Sequence, residues 1–218
     1  DNVSLSTPLS GTFDTKNVGT GKTVTATGLS VTGATNGAVT VYGYQLASSS
    51  VNAAIGEITP LTIAAGLTGS VSKVYDGTNA ASLSAANYSL TGVLGLDVVA
   101  LNDPIAGTYD TANVGTGKGV TVTGLVLTGG DAGNYVLASS NASASIGTIT
   151  TKALTVTAND AVRLYGDVNP AFSASYDGFV MGEGPGELGG TLGLGTTATV
   201  TSGIGGYAIT PSGLTSSN

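Results

Sequence analysis

The sequence predicts an all-β chain in which sandwich modules repeat in tandem as an elongated array. Three observations predict it. Glycine supplies 35 of the 218 residues and charged residues only 9%, whereas about 7% glycine and about a quarter charged are ordinary. Helix formers such as Glu, Lys, Arg, Gln and Met are almost missing, while Val, Thr and Tyr, which suit a pleated half-buried surface, are plentiful. Residues 11–33 and 107–129 carry the same residue at 17 of 23 positions, at a fixed offset of 96.

The repeat sets the organisation. After a five-residue gap the match resumes: Tyr44-Gln-Leu-Ala-Ser-Ser answers Tyr135-Val-Leu-Ala-Ser-Ser, and Ile55-Gly-Glu-Ile-Thr answers Ile146-Gly-Thr-Ile-Thr. A looser echo joins Leu61-Thr-Ile and Lys73-Val-Tyr-Asp-Gly to Leu154-Thr-Val and Arg163-Leu-Tyr-Gly-Asp. One complete unit therefore spans 61–152. A unit without its front half occupies 1–60, and one without its last strand occupies 153–218. A period near 90 residues exceeds a solenoid coil and matches an Ig-like sandwich domain. A parallel β-helix is the alternative fold. Its rungs would repeat every 20 to 30 residues or so, and no such period is present. Half-units leave sheet edges unpaired, as in a piece cut from a longer chain or one completed by a neighbour. The abrupt start at Asp1 fits a mature product or an excised piece.

Each element follows from period and punctuation. Val120-Thr-Val-Thr alternates apolar and hydroxyl residues, the strand signature. Leu125-Val-Leu follows Gly124, where a bulge or corner is expected. Gly129-Gly-Asp-Ala-Gly133 is a turn cluster. Tyr135-Val-Leu, Ala144-Ser-Ile and Ala153-Leu-Thr-Val-Thr are further strands. The last unit offers strands at 171–176, 190–194 and 206–209. No window shows capped helical periodicity.

Composition excludes several function classes. Net charge is −7 with six basic residues, too few for the cationic face that nucleic acid or anionic lipid requires. No run nears the roughly 20 apolar residues of a membrane span. Cysteine, histidine and tryptophan are absent, which removes disulfides, the usual zinc ligands and the commonest general base. Enzyme chemistry is not expected, and no catalytic residue is assigned.

Several single motifs admit a chemical reading and a plainer one. Asn17-Val-Gly-Thr-Gly-Lys-Thr-Val looks like half a phosphate-binding loop. The required first glycine is Lys16 here and Ala112 in the second copy, and the magnesium-binding hydroxyl becomes Gly119. A turn built on glycine's positive φ is the better reading. Asp110 and Asp131 are the first candidates for calcium, the one cofactor these turn carboxylates suggest. A turn aspartate bonding its own backbone is the plainer role. Glu183 and Glu187 flank Gly184-Pro-Gly186 and read as a solvated loop rather than a glycosidase pair. Lys73 and Arg163 stand before matching Tyr corners, where they cover a strand and keep their charge in water. Tyr75, Tyr109, Tyr135 and Tyr165 read as core or corner tyrosines. Tyr42 and Tyr44, beside the insertion of the first unit, are the candidates for ligand contact.

Several of these words together resemble a known family. Lys73-Val-Tyr-Asp-Gly-Thr, the Gly-Thr-Tyr-Asp corner, Gly129-Gly-Asp-Ala-Gly-Asn-Tyr and Ile146-Gly-Thr-Ile-Thr-Thr-Lys-Ala-Leu-Thr-Val resemble the YDG repeat of bacterial surface proteins. Residues 158–170, Tyr176-Asp-Gly-Phe-Val and Gly206-Tyr-Ala-Ile-Thr-Pro look like the bacterial Ig-like module called MBG. The resemblance implies a piece of a very long secreted adhesin related to filamentous haemagglutinin, with no catalytic residues to carry over. It implies a stalk at the bacterial surface, serving adhesion and biofilm. The partners expected are neighbouring modules, identical chains, and host-surface or matrix glycans and proteins. A filament subunit completed by strand donation and a carbohydrate-binding module are the alternatives.

Overall fold

A computed structural model describes residues 1–180 and 182–218. The first repeat supplies β1 (Asn2–Leu5), β2 (Thr12–Phe13), β3 (Gly19–Thr27), β4 (Val31–Asn36), β5 (Val39–Thr40) and β6 (Ser50–Ile58). The second supplies β7 (Leu61–Leu67), β8 (Val71–Val74), β9 (Ala80–Ser82), β10 (Tyr88–Thr91), β11 (Ala100–Leu101), β12 (Ala106–Tyr109), β13 (Gly115–Val122), β14 (Leu127–Thr128), β15 (Tyr135–Leu137) and β16 (Ala142–Thr150). The last segment supplies β17 (Thr155–Ala158), β18 (Ala174–Asp177), β19 (Gly189–Thr196) and β20 (Ile209–Thr215). Three single 3-10 turns interrupt them, and no α-helix occurs among the described residues. The chain is all-β.

The chain divides into two compact units, and the second repeat contributes strands to both. One unit is Asp1–Ala64, Leu90–Asn102 and Val126–Ser139. It holds the sheets β1-β4-β5, β2-β3-β6 and β11-β14, and the parallel pairing of β15 with the first residues of β7. The other is Ala65–Ser89, Asp103–Leu125 and Ser140–Asn218. Its centre is a five-stranded sheet in the order β8-β16-β13-β12-β9, joined by the pairs β17-β18 and β19-β20. Within these sheets β8 runs parallel to β16, whereas β16-β13-β12-β9 is antiparallel throughout. That mixture is unlike the uniformly parallel coils of a β-helix.

The repeat seen in the sequence is a repeat of register. Phe13 faces Val24 across β2 and β3 as Tyr109 faces Val120 across β12 and β13. Lys22 faces Gly56 as Lys118 faces Gly147. The glycine of Gly-Lys does not make a tight turn. Gly21 and Gly117, both at φ 65, lie inside long strands where the register shifts. Each is a bulge that only a residue tolerant of positive φ accepts cheaply.

The strand readings hold at 120–122, 135–137, 144–146 and 190–194, and they shift elsewhere. Of the two readings of Gly124, bulge or corner, it is the corner: β13 stops at Val122, and β14 pairs with β11 in another sheet. In the last segment residues 171–173 and 206–208 fall outside the strands, which start at Ala174 and Ile209.

The main core belongs to the five-stranded sheet. Val71, Tyr75, Ala81, Leu83, Tyr109, Val120, Ile149 and Val180 form one buried cluster. Two glycines make room for aromatic rings. A Cβ on Gly147 would lie 2.6 Å from Cε1 of Tyr109, and one on Gly56 would lie 2.4 Å from Cε1 of Phe13. In both repeats a ring covers a strand glycine at the same register.

Candidate inter-repeat interface

The loop that resembles a phosphate site is a contact between successive repeats. Thr15 N–H donates to Oδ1 of Asp14 (2.9 Å), and Thr111 N–H to Oδ1 of Asp110 (2.8 Å). Asp14 N–H donates to the Thr23 carbonyl as Asp110 N–H does to that of Gly119. The Lys22 ammonium donates to Oγ1 of Thr15, and that of Lys118 to Oγ1 of Thr111. The aspartate, the threonine and the lysine thus brace one loop shape twice. The N–H of the valine within the braced loop bonds to a residue outside it.

An asparagine from the following segment accepts that N–H in both copies. Val18 N–H donates to Oδ1 of Asn134 (2.8 Å), and Val114 N–H to Oδ1 of Asn218 (3.2 Å). A half-buried amide would lose about 1–3 kcal/mol without a partner, so each asparagine stabilises its contact. Around the first contact Asn134 also donates to Oδ1 of Asn17 (3.3 Å). Lys16 pairs with Asp97 and, at 3.2 Å, with Asp131. Tyr135 donates to the other oxygen of Asp97 (2.7 Å) and accepts the Leu94 N–H (3.1 Å). Lys16 and then Tyr135 hold the Asp97 carboxyl below its ordinary range. The second copy has Ala112 in place of Lys16, so the asparagine cap recurs and the ion pair does not.

Around the second contact the Tyr75 hydroxyl donates to Glu183. This bond, more than burial, raises the Tyr75 pKa. A Cβ on Gly77 would lie 3.0 Å from Cγ2 of Val180, which itself belongs to the buried cluster. Glu183 is therefore engaged rather than merely solvated, while Glu187 is exposed.

The remaining singled-out residues have definite places. Asp110 spends its oxygens on Thr111 N–H, Gly119 N–H (3.1 Å) and Lys118 (3.3 Å), and the backbone bond from Gly119 chiefly lowers its pKa. Asp131 accepts the Val98 N–H (2.9 Å) and pairs with Lys16. Among the described residues no three His, Cys, Asp or Glu side chains converge to hold a metal ion. Tyr42 is 88% exposed, and Tyr44 donates to Oδ2 of Asp1 (2.5 Å). Tyr75, Tyr109 and Tyr135 are buried, but Tyr165 is 69% exposed and lies outside the core.

The lysine before the first Tyr corner does not keep its charge in water. The Lys73 ammonium donates to Oδ1 of Asp76 (2.7 Å) and to the Thr78 carbonyl (2.7 Å), 5.5 Å above the Tyr109 ring. This pairing, with the Thr78 N–H, lowers the Asp76 pKa to about 2. Arg163 instead fastens its own loop, donating to Asn169 Oδ1 (2.9 Å) and to the carbonyls of Leu164, Asp167 and Thr199. Beside it a cavity of ≈ 470 Å³ is lined by Tyr165, Phe172, Tyr207 and Ile204 among others.

Sequence reasoning missed the capping asparagines. Each lies more than a hundred residues from the amide it accepts, and nothing local marks it. The signal that could have found them is the loop itself, repeated where no nucleotide chemistry requires it.

Family models match the chain over nearly all its length. The YDG domain matches residues 1–51 and 57–144, and the MBG domain (YGX type) matches residues 154–218. No curated protein and no solved structure matches it.

Proposed function

We propose, for a chain that belongs to the YDG domain family and carries an MBG domain behind its two YDG matches, a structural role. It is a stalk segment of a secreted bacterial surface adhesin, built of tandem Ig-like modules. One observation carries the reading. The same braced loop is capped by an asparagine of the next segment at both successive contacts. Repeats that meet through a fixed hydrogen-bond geometry set spacing and orientation, which is what a stalk supplies. Connections are short too: Thr59 and Pro60 alone separate β6 from β7. No helix among the described residues is long and apolar enough to cross a membrane.

A glycan-binding reading gains support from the aromatic cavity of the last segment. Arrays of glycans and matrix proteins probed with the purified chain decide between them. The stalk reading predicts no saturable binding. Binding that a Tyr207→Ala or Tyr165→Ala variant abolishes would replace it. A filament subunit completed by strand donation gains support from an uncovered sheet face in the first repeat. It predicts assemblies that survive dilution, where the stalk reading predicts a monomer by light scattering.

A further inference from the structure

The two repeats share strands, register and glycines, yet they differ in what covers them. In the second repeat β16 is flanked by β8 in parallel, Gly147 to Thr150 facing Val71 to Val74. On the opposite edge β12 is flanked by β9, Gly107 facing Ala81. The matching sheet of the first repeat has only β2-β3-β6, and among the described residues no strand pairs with either of its edges. Its side chains register the loss. Phe13 is 46% exposed where Tyr109 is 2%, and Ile58 is half-buried where Ile149 is buried. Tyr135 is 7% exposed beside β7; its counterpart Tyr44 is 48% exposed, and among the described residues no strand pairs beside it.

We propose that this face is an acceptor for a strand–corner–strand segment with the chemistry of residues 61–83, joined in line ahead of Asp1. The second repeat shows what fits, residue by residue. A Val71-like side chain would sit over Gly56 and Phe13. An Ala81–Leu83-like edge would pair beside Gly11. An Ile63-like strand would cover Tyr44. A second copy of the chain is a poorer donor, because its own residues 71–83 already fill its own buried cluster and would have to leave it. In-line donation also keeps the segment at high effective concentration. Tyr44, singled out in the sequence as a ligand contact, becomes part of the seat for that segment. The inference rests on the tandem-array reading, but it concerns one face and can fail alone.

The test adds a second copy of residues 61–96 directly before Asp1 of the full chain, so that Leu96 meets Asp1 as it meets Asp97. Amide hydrogen exchange is then followed by mass spectrometry. Exchange at residues 44–46 and 55–58 is expected to slow to the rate of 135–137 and 146–149. Val71→Asp and Ile63→Asp made only in the added copy should restore fast exchange. Exchange at 55–58 unchanged by the fusion overturns the proposal. So does slowing that the parent chain shows by itself as its concentration rises, which would make a second chain the donor. Unchanged exchange leaves the stalk reading standing, whereas concentration-dependent slowing in the parent chain would favour the filament reading over it.

Discussion

At the residue scale, equal sequence positions carry unequal energies because their surroundings differ. Ile149 is 1% exposed, inside the cluster that Tyr109 and Val120 complete. Ile149→Val is expected to lower stability by about 1 kcal/mol. Ile58→Val, at the matching position of the open face, should cost only a small part of that. Chemical denaturation of the two variants side by side checks the pair; equal losses would mean that the first repeat is covered after all. Asp76 makes a pH prediction. Its folded pKa, about 2, lies below the ordinary 3.8. Its contribution is therefore fully present above 3.8 and is lost as pH falls towards 2. Over that window the wild type should lose more stability than Asp76→Asn. Parallel curves for the two would show that the Lys73 pairing contributes nothing.

At the element scale, the strand-to-strand repeat was legible and the contacts between repeats were not. Val120-Thr-Val-Thr and its partner segments announce themselves by alternation, since one face must be buried. Gly56 and Gly147 give no such sign. Their need for a missing Cβ depends on rings brought by Phe13 and Tyr109 from other strands. The same holds for Asn134 and Asn218, which read locally as turn or tail residues. The loop reads in the sequence as a glycine turn, whereas the structure makes its glycine a strand bulge. Asn134→Ala tests the cap. It should speed amide exchange at Val18 and reduce stability by about 1 kcal/mol, leaving exchange at Val120 and Val122 untouched. Unchanged exchange at Val18 would remove the cap from the account.

For the whole molecule, low charge and scarce basic residues leave few places for a trypsin-like protease. The six sites are Lys16, Lys22, Lys73, Lys118, Lys152 and Arg163. Lys73 and Lys118 lie in strands with their ammonium groups hydrogen-bonded. Lys152 is exposed between β16 and β17. Limited trypsin digestion should cut first after Lys152 and release the MBG segment. First cleavage after Lys118 would mean that the five-stranded sheet opens more easily than its burial implies. The composition, from which neither nucleic-acid binding nor zinc chemistry is expected, fits the proposed spacing role. Family membership and the twice-used capped loop agree with it. The most direct measurement displays the chain on a cell surface, replaces residues 1–152 with an unrelated β-repeat segment of equal length and compares cell adhesion at equal display. Adhesion at the parental level is the result predicted for a stalk. Adhesion lost despite equal display, together with saturable target binding by the isolated chain, would contradict it.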